Sequence, residues 1–171
     1  MTPRPGRPAD RAAVAPPARQ GYVLRMTEVL GIDHVYLTAS DLGRSEAFYD
    51  LVLVSALGFR KSRLTLGGEP HLSYFNRHFG VVLRPARRAS PHDPYAPGLH
   101  HLCFRVEQVE DVAQVAIELQ AAGLRTTAPT LLPEYAPDYW AIYLEDPDGL
   151  RLEVTNFRKE RRERHDRWPE P

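Results

Sequence analysis

Two histidines and one glutamate have the types and the spacing of a metal site. His34 lies in a β-rich run of the first half of the chain, His101 directly precedes the similar run Leu102–Val106 in the second half, and Glu153 lies in the last such run. Two neutral imidazoles and one carboxylate commonly bind Mn, Fe, Ni or Zn and leave coordination positions open for a substrate. These residues predict a site for one divalent metal ion.

The alternation of side chains along a strand puts all three candidate ligands on the polar faces of their strands. Successive side chains point to opposite faces of a sheet. Val35 and Leu37 are the apolar residues of the first run, so His34 faces the other way. Composition alone leaves open whether His100 or His101 is the ligand, but alternation and the alignment with His34 both favour His101. The apolar residues that define the packed faces of the other two runs are Leu102, Phe104, Val106, Leu150, Leu152 and Val154.

An internal repeat predicts the elements that position these residues. Each half of the chain begins with a strand, continues with a helix that ends at Gly58 or Gly123, and finishes with three strands. Two copies of one such unit are expected to bury each other's open faces. The first half is predicted to have a strand at 32–38, a helix at 42–57 with Asp41 as its N-cap, and strands at 59–66, 71–76 and 81–84. The second half is predicted to have a strand at 102–106, a helix at 109–122, and strands at 124–128, 140–144 and 150–156.

The repeat also divides the chain into segments. Module one covers residues 31–85 and module two covers residues 98–157, and the proline-containing stretch 86–97 is the linker between them. Residues 1–25 are rich in proline and arginine and poor in large apolar side chains, so we expect a disordered tail. Residues 158–171 are a charged tail, in which the mixed signs at helical spacing favour a solvated terminal helix.

The bulk composition excludes several classes of partner. The 171 residues include 22 basic and 22 acidic side chains, for a net charge of +0. This balance gives no general attraction to nucleic acid or to an anionic membrane. No apolar run approaches the roughly 20 residues that span a bilayer, and the N-terminal region lacks the apolar core of a secretory signal. A single cysteine, Cys103, excludes an intramolecular disulfide. We therefore expect a cytoplasmic protein without a nucleic-acid or membrane partner.

Three further side chains are candidates for the same cavity. His71 alternates with Leu72 and could face the cavity as an acid, a base or an extra ligand. Tyr139 and Tyr143 alternate with apolar residues and could line the pocket beside Glu153, where a tyrosine hydroxyl can donate a hydrogen bond to a developing oxyanion. A packing or surface role remains the alternative for each of them.

Three segments resemble the vicinal oxygen chelate superfamily. They are Ile32–Val35, Gly98–Val106 and Glu145–Val154, the last of which contains an acidic residue, Asp-Pro-Asp-Gly and a glutamate four residues after the glycine. The superfamily includes glyoxalase I, fosfomycin-modifying enzymes, methylmalonyl-CoA epimerase, extradiol dioxygenases and bleomycin-binding proteins. The resemblance covers about residues 31–157.

The resemblance implies an α+β fold of two tandem βαβββ modules, whose curved sheets surround a metal-binding cavity. It implies that His34, His101 and Glu153 are the metal ligands. Many relatives take a fourth ligand from the last strand of the first module, and an alignment of Gly80 with Gly149 puts Arg84 at that place. Arginine is cationic and does not ligate metals, so this departure favours a three-ligand site. Arg84 would then bind a substrate carboxylate or phosphonate, or form an ion pair with Glu153 or a loop carboxylate.

Three alternatives for the function follow from the resemblance. The first is a metal-dependent lyase, isomerase, fosfomycin-type hydrolase or transferase, or dioxygenase that acts on a small oxygenated substrate through chelation. Tyr139, His71 and Arg84 are then the candidate catalytic residues. The second is a metal-free ligand-binding protein of the bleomycin-resistance type, and a glyoxalase-like domain that serves only as a dimer scaffold is a third alternative. Relatives commonly complete their cavities across an interface, and small sheets leave edges that need cover, so we expect a homodimer.

Overall fold

The computed structural model describes residues 27–88 and 90–168. The tail predicted to be disordered, residues 1–25, lies outside the described residues. Two four-stranded mixed sheets, one in each half of the chain, and a few helices confirm the predicted α+β fold. Within the described part of the chain, no helix is both long enough and apolar enough to cross a membrane.

The first half forms one sheet and one long helical segment. Its strand order is β1-β4-β3-β2, with β1 and β4 parallel. The helix begins where the sequence predicts, since the Asp41 side chain accepts a hydrogen bond from the Arg44 backbone N–H at 3.0 Å. The elements are β1 (His34–Ala39), α1 (Leu42–Tyr49), a π-helical continuation (Asp50–Ala56), β2 (Arg60–Leu66), β3 (Glu69–Phe75) and β4 (Gly80–Pro85).

The single α-helix predicted for residues 42–57 differs from the structure in its second half. There the coil is wider, and the Leu57 N–H bonds to the Val52 carbonyl five residues back, at 3.1 Å. Val52 and Leu53 of this segment are fully buried, so the wider coil still presents an apolar side to the core. Hydrophobic spacing predicted the burial but not the local widening.

The second half repeats the strand order as β5-β8-β7-β6, with β5 and β8 parallel. Its elements are β5 (His101–Val106), α2 (Val109–Ala121), β6 (Thr130–Leu131), β7 (Trp140–Glu145) and β8 (Arg151–Asn156). The charged segment that follows forms α3 (Lys159–Asp166), none of whose residues is buried, which agrees with a solvated terminal helix.

The strand predicted at residues 124–128 is wrong. The edge strand of the second sheet is the two-residue β6, which lies after the predicted strand, directly beyond Pro129. Thr127 still meets β7, because its N–H donates to the Tyr143 carbonyl and its hydroxyl accepts from the Tyr143 N–H, both at 2.9 Å. The Thr127 side-chain oxygen thus accepts the hydrogen bond that a backbone carbonyl would accept in a regular strand. Pro129 has no N–H, so it cannot donate to a neighbouring strand. The β-prone composition of residues 124–128 did not reveal that a side chain would take the place of the backbone acceptor.

Both halves contribute to one hydrophobic core. Val52 and Leu53 of the first half and Val112 and Leu119 of the second belong to the same buried cluster. Phe104 of β5 lies against Phe59 and Phe79 of the first half, with ring centroids 6.3 and 6.1 Å apart. The packed face of each sheet is therefore the face predicted from alternation, and the opposite face, here called the polar face, carries His34 in the first sheet and His101 and Glu153 in the second.

The turn between β7 and β8 connects the two halves. Asp148 accepts hydrogen bonds from the Ser40 backbone N–H, at 2.8 Å, and from the Ser40 hydroxyl. Asp146 accepts from the Tyr49 hydroxyl at 2.9 Å. Gly149 has φ of 88°, which only glycine adopts without strain. The Asp-Pro-Asp-Gly motif therefore has a structural role beside the start of α1.

Replacing Asp148 with Ala is expected to lower the free energy of unfolding by about 1–1.5 kcal/mol, because the Ser40 N–H and hydroxyl and the Arg44 side chain lose their acceptor. Chemical denaturation followed by circular dichroism measures this change. Glu134→Ala, in an exposed loop, is the matched loss of one carboxylate and should stay within about 0.5 kcal/mol of wild type. Equal stability of the two variants would contradict a structural role for the turn.

Candidate metal centre

Glu153 is the buried centre of the polar face of the second sheet. Its side chain is only 4% exposed, and β8 places it beside Tyr143 of β7 and Cys103 of β5. The Tyr139 hydroxyl donates to Oε1 at 2.6 Å, and the Tyr143 hydroxyl donates to the same oxygen at 3.4 Å. The other carboxylate oxygen, Oε2, lies 3.3 Å from Nε2 of His101. The structure thus brings His101, Glu153 and both predicted tyrosines together.

The neighbours of the Glu153 carboxylate are two tyrosine hydroxyls and one histidine. Among the described residues, Glu153 forms no ion pair with a lysine or an arginine. Burial and the Glu153 carboxylate raise the pKa of Tyr143 to about 12 and also raise the pKa of Tyr139. Both hydroxyls therefore stay protonated at neutral pH and donate to Glu153. Desolvation and the same carboxylate raise the pKa of the Cys103 thiol to about 12, so this sulfur is not a thiolate.

His34 begins β1 of the other sheet. Its side chain is 49% exposed, and its Nδ1 lies 2.6 Å from Oδ2 of Asp33. A carboxylate on one ring nitrogen fixes the tautomer and leaves the other nitrogen as the ligating atom, the arrangement that metal-binding histidines use. Sequence reasoning missed Asp33, although a carboxylate directly before a candidate ligand was a signal that could have found it.

The three candidate ligands do not meet within one chain. His34 borders an open depression of about 390 Å³ on the polar face of the first sheet, together with Tyr36, Ser73 and Val82. His101 and Glu153 lie on the second sheet. Within residues 27–88 and 90–168, no three His, Cys, Asp or Glu side chains are close enough to hold a metal ion. One chain therefore presents the three candidate ligands on two separate sheets.

The strand registers correct the position assigned to Arg84. His34 pairs with Gly80 and Tyr36 with Val82 in the first sheet, whereas His101 pairs with Arg151 and Cys103 with Glu153 in the second. With His34 equivalent to His101, the equivalent of Glu153 is Val82 and not Arg84. Gly80 is the first residue of β4, whereas Gly149 lies two residues before β8, so the alignment of these two glycines was a poor guide to register. Valine has no ligating atom, and a three-ligand site remains the expectation.

Arg84 does not pair with Glu153 in this chain. It forms an ion pair with Glu69, which also pairs with Arg87 at 3.0 Å. His71 lies on the same polar face, as alternation predicted, and is 4% exposed. Its Nδ1 is 2.9 Å from the Glu69 carbonyl oxygen, and its ring packs edge-on against Tyr36 at 6.0 Å. The structure thus brings His71 and Arg84 together on the first sheet, apart from Tyr139 and Glu153.

A comparison of the sequence with models of protein families agrees with the fold described above. The model of the Glyoxalase/Bleomycin resistance protein/Dioxygenase superfamily matches residues 31–154. The chain belongs to this superfamily, and the resemblance found in its motifs is confirmed.

Several individual proteins are similar to this chain. It is 28% identical to virulence protein STM3117 of Salmonella typhimurium over 134 residues, which are 74% of this chain and 83% of that protein. A glyoxylase/bleomycin resistance protein/dioxygenase domain from Frankia sp. EAN1pec has a TM-score of 0.64 at 27% identity, and the match covers 77% of this chain and 100% of that one. A mutant of the fosfomycin resistance protein FosX from Listeria monocytogenes, complexed with Mn(II) and a dihydroxypropylphosphonic acid, has a TM-score of 0.60 at 16% identity over 79% of this chain and 98% of that one. The likeness to FosX is one of fold.

Proposed function

We propose that this protein is a metal-dependent enzyme that acts on a small oxygenated molecule, and that Glu153, His101 and His34 hold one divalent ion. The observation that carries the proposal is the Glu153 carboxylate, which is 4% exposed and has no lysine or arginine partner among the described residues. A buried carboxylate is costly unless a cation or several hydrogen-bond donors compensate it. Tyr139 and Tyr143 supply two donors to one oxygen, and the other oxygen is open to a cation.

The donor atoms fit a divalent transition ion. Two imidazole nitrogens and one carboxylate oxygen suit Mn, Fe, Ni and Zn and leave room for substrate oxygens. Tyr139 would act as the outer-shell partner of Glu153, and Asp33 as that of His34. The Mn(II) in the FosX complex supports this choice of ion for the fold.

We propose that the site is completed between two copies of the chain. Because His34 lies on a different sheet from His101 and Glu153, a homodimer in which the polar face of one chain's first sheet covers that of its partner's second sheet would bring the ligands together. The half-exposed His34 and the 38% exposed His101 side chains are then the surfaces that association covers. In this proposal, the metal site is complete only in the homodimer that the sequence predicts.

The ion would supply Lewis-acid polarisation of substrate oxygens, the chemistry that stabilises an oxyanion or enolate. The chain's own residues would orient its ligands and shape the cavity. Tyr139 holds the Glu153 carboxylate through a short hydrogen bond, and the apolar Val82, equivalent to Glu153, offers no fourth protein ligand. Which reaction follows, whether elimination, isomerisation, addition or oxygenation, depends on the substrate.

Titration of the wild-type protein with Mn, Fe, Ni and Zn tests this function. We expect one ion per chain, measured by isothermal calorimetry and by elemental analysis of protein purified without chelator. Binding of none of the four ions would favour the alternative class, a metal-free ligand-binding protein of the bleomycin-resistance type.

A further inference from the structure

The backbone around Tyr139 is fixed by a side chain from the end of β8. Asn156, which is 7% exposed, accepts a hydrogen bond from the Trp140 N–H at 2.9 Å and donates to the Asp138 carbonyl at 3.1 Å. The Asn156 amide therefore holds the two peptide groups that flank Tyr139, with both its oxygen and its nitrogen in use. This contact fixes where the Tyr139 side chain begins, but the direction of the ring depends on what packs against it.

The ring of Tyr139 is covered by the guanidinium of Arg158. The Arg158 Cζ lies 4.5 Å from the ring centroid, within the range of a cation–π contact, and a planar guanidinium stacks well on an aromatic face. The hydroxyl of the same ring donates to Oε1 of Glu153 at 2.6 Å. The Arg158 guanidinium, the Tyr139 ring and the Glu153 carboxylate therefore form a row, here called the Arg158 row, in which each group contacts the next.

Arg158 is in turn held by the helix that it begins. It is the N-cap residue of α3, and the N–H of the next residue, Lys159, donates to the Asp138 side chain at 2.8 Å. A carboxylate at a helix N-terminus satisfies a free N–H group and interacts favourably with the helix dipole. Farther along α3, Arg162 pairs with Glu107, which lies between β5 and α2. The solvated helix α3 is thus docked both on the loop that carries Tyr139 and on the second module.

The charge of Arg158 acts on the candidate metal centre. Burial and the Glu153 carboxylate raise the pKa of the Cys103 thiol to about 12, and the Tyr139 hydroxyl and the Arg158 charge oppose that rise. Among the described residues, no acidic side chain forms an ion pair with Arg158, whereas two other basic residues of α3 do form such pairs. The Tyr139 ring is therefore the group against which the Arg158 guanidinium is placed.

We propose that Arg158 is a positioning residue of the metal centre, which holds the Tyr139 ring so that its hydroxyl stays on Oε1 of Glu153 and Oε2 is left for the ion. The inference rests on the proposed function in one respect only, that Glu153 is a metal ligand. The contacts of the Arg158 row are made by the chain without an ion. Asn156 and Arg158 both follow residue 154, the last residue that the superfamily model matches.

Four full-length, metal-free proteins test the positioning without any ion: wild type, Arg158→Gln, Tyr139→Phe and the double variant. Tyr139→Phe keeps the ring and removes the donor to a buried carboxylate, so it should lower the midpoint of chemical denaturation. In the Arg158→Gln background the hydroxyl is no longer held, and the same change should produce a smaller shift. Such a cycle isolates the coupling between the two side chains. Equal shifts in both backgrounds would overturn the inference.

Titration of the same four proteins with Mn measures the effect on the ion. Arg158→Gln should weaken Mn binding roughly 3- to 10-fold, less than the loss of a whole outer-shell partner. Arg158→Lys keeps a cation but loses the planar stacking, and it should recover part of the affinity. In the Tyr139→Phe protein, which has no hydroxyl to position, Arg158→Gln should cause no further weakening.

Two comparisons exclude a simple charge effect. Arg164→Gln removes the same charge from an exposed position of α3 and should match wild type in both measurements. If the charge of Arg158 acts only by repelling the ion, Arg158→Gln will bind Mn more tightly than wild type, and that result overturns the inference.

The two proposals can fail separately. Coupling between Arg158 and Tyr139 in the metal-free protein, with no Mn binding by wild type, would leave the positioning of the Glu153 carboxylate and remove the metal centre. Mn binding by wild type, with no coupling in either cycle, would leave the metal centre and remove the positioning role of Arg158.

Discussion

Glu153→Gln is expected to lower the affinity for Mn, Fe, Ni or Zn by about 100-fold or more. Loss of an outer-shell partner alone costs roughly 10- to 100-fold in metal affinity, and this change removes the charge of a direct ligand. Glutamine has nearly the same volume and can still accept the hydrogen bond from Tyr139, so the packing of β7 against β8 should remain. Isothermal calorimetry of wild type and variant measures the change.

Two controls make that result specific to the site. Glu134→Gln removes one charge from an exposed loop and should bind metal as wild type does. The metal-free Glu153→Gln protein should be at least as stable as metal-free wild type, because it no longer buries a charge that has no lysine or arginine partner among the described residues. If Glu153→Gln binds metal as tightly as wild type, Glu153 is not a ligand and the proposed function is wrong.

Two variant chains, neither of which binds metal as a homodimer, are expected to form one complete metal site when they are combined in a heterodimer. One chain carries His34→Ala and its partner carries Glu153→Gln. If each site takes His34 from one chain and His101 with Glu153 from the other, one of the two sites in this heterodimer has all three ligands. A heterodimer purified with two different tags should hold roughly half the metal of the wild-type dimer, as twofold symmetry requires.

A matched pair of variants gives the opposite result. His101→Ala in one chain and Glu153→Gln in its partner damage the same half of the site, so no site in that heterodimer has all its ligands. We expect no recovery of metal binding there. If neither heterodimer recovers metal binding and both homodimers are empty, the ligands come from a single chain after rearrangement. Light scattering that finds only monomer would exclude the shared site altogether.

The sequence by itself determined the repeat, the sheet faces and which side chains lie beside Glu153. Alternation around Val35, Leu37, Leu152 and Val154 is a local property of extended backbone, so the polar faces followed from it without any knowledge of contacts. The proximity of Tyr139 and Glu153 followed in the same way, because Tyr139 directly precedes β7 and alternation puts it on the same side as Tyr143, which pairs with Glu153.

Tertiary structure decided the features that depend on register and on the packing of one half against the other. The equivalence of Val82 with Glu153 follows from how β1 pairs with β4, and turn glycines do not fix such a register. The loss of the strand at 124–128 depends on one threonine hydroxyl that meets β7. The separation of His34 from His101 results from helices of both halves sharing one core, which leaves the two polar faces on different sheets. Strand periodicity is set by neighbouring residues, whereas these features are set by contacts between residues far apart in the chain, and only the folded chain contains them.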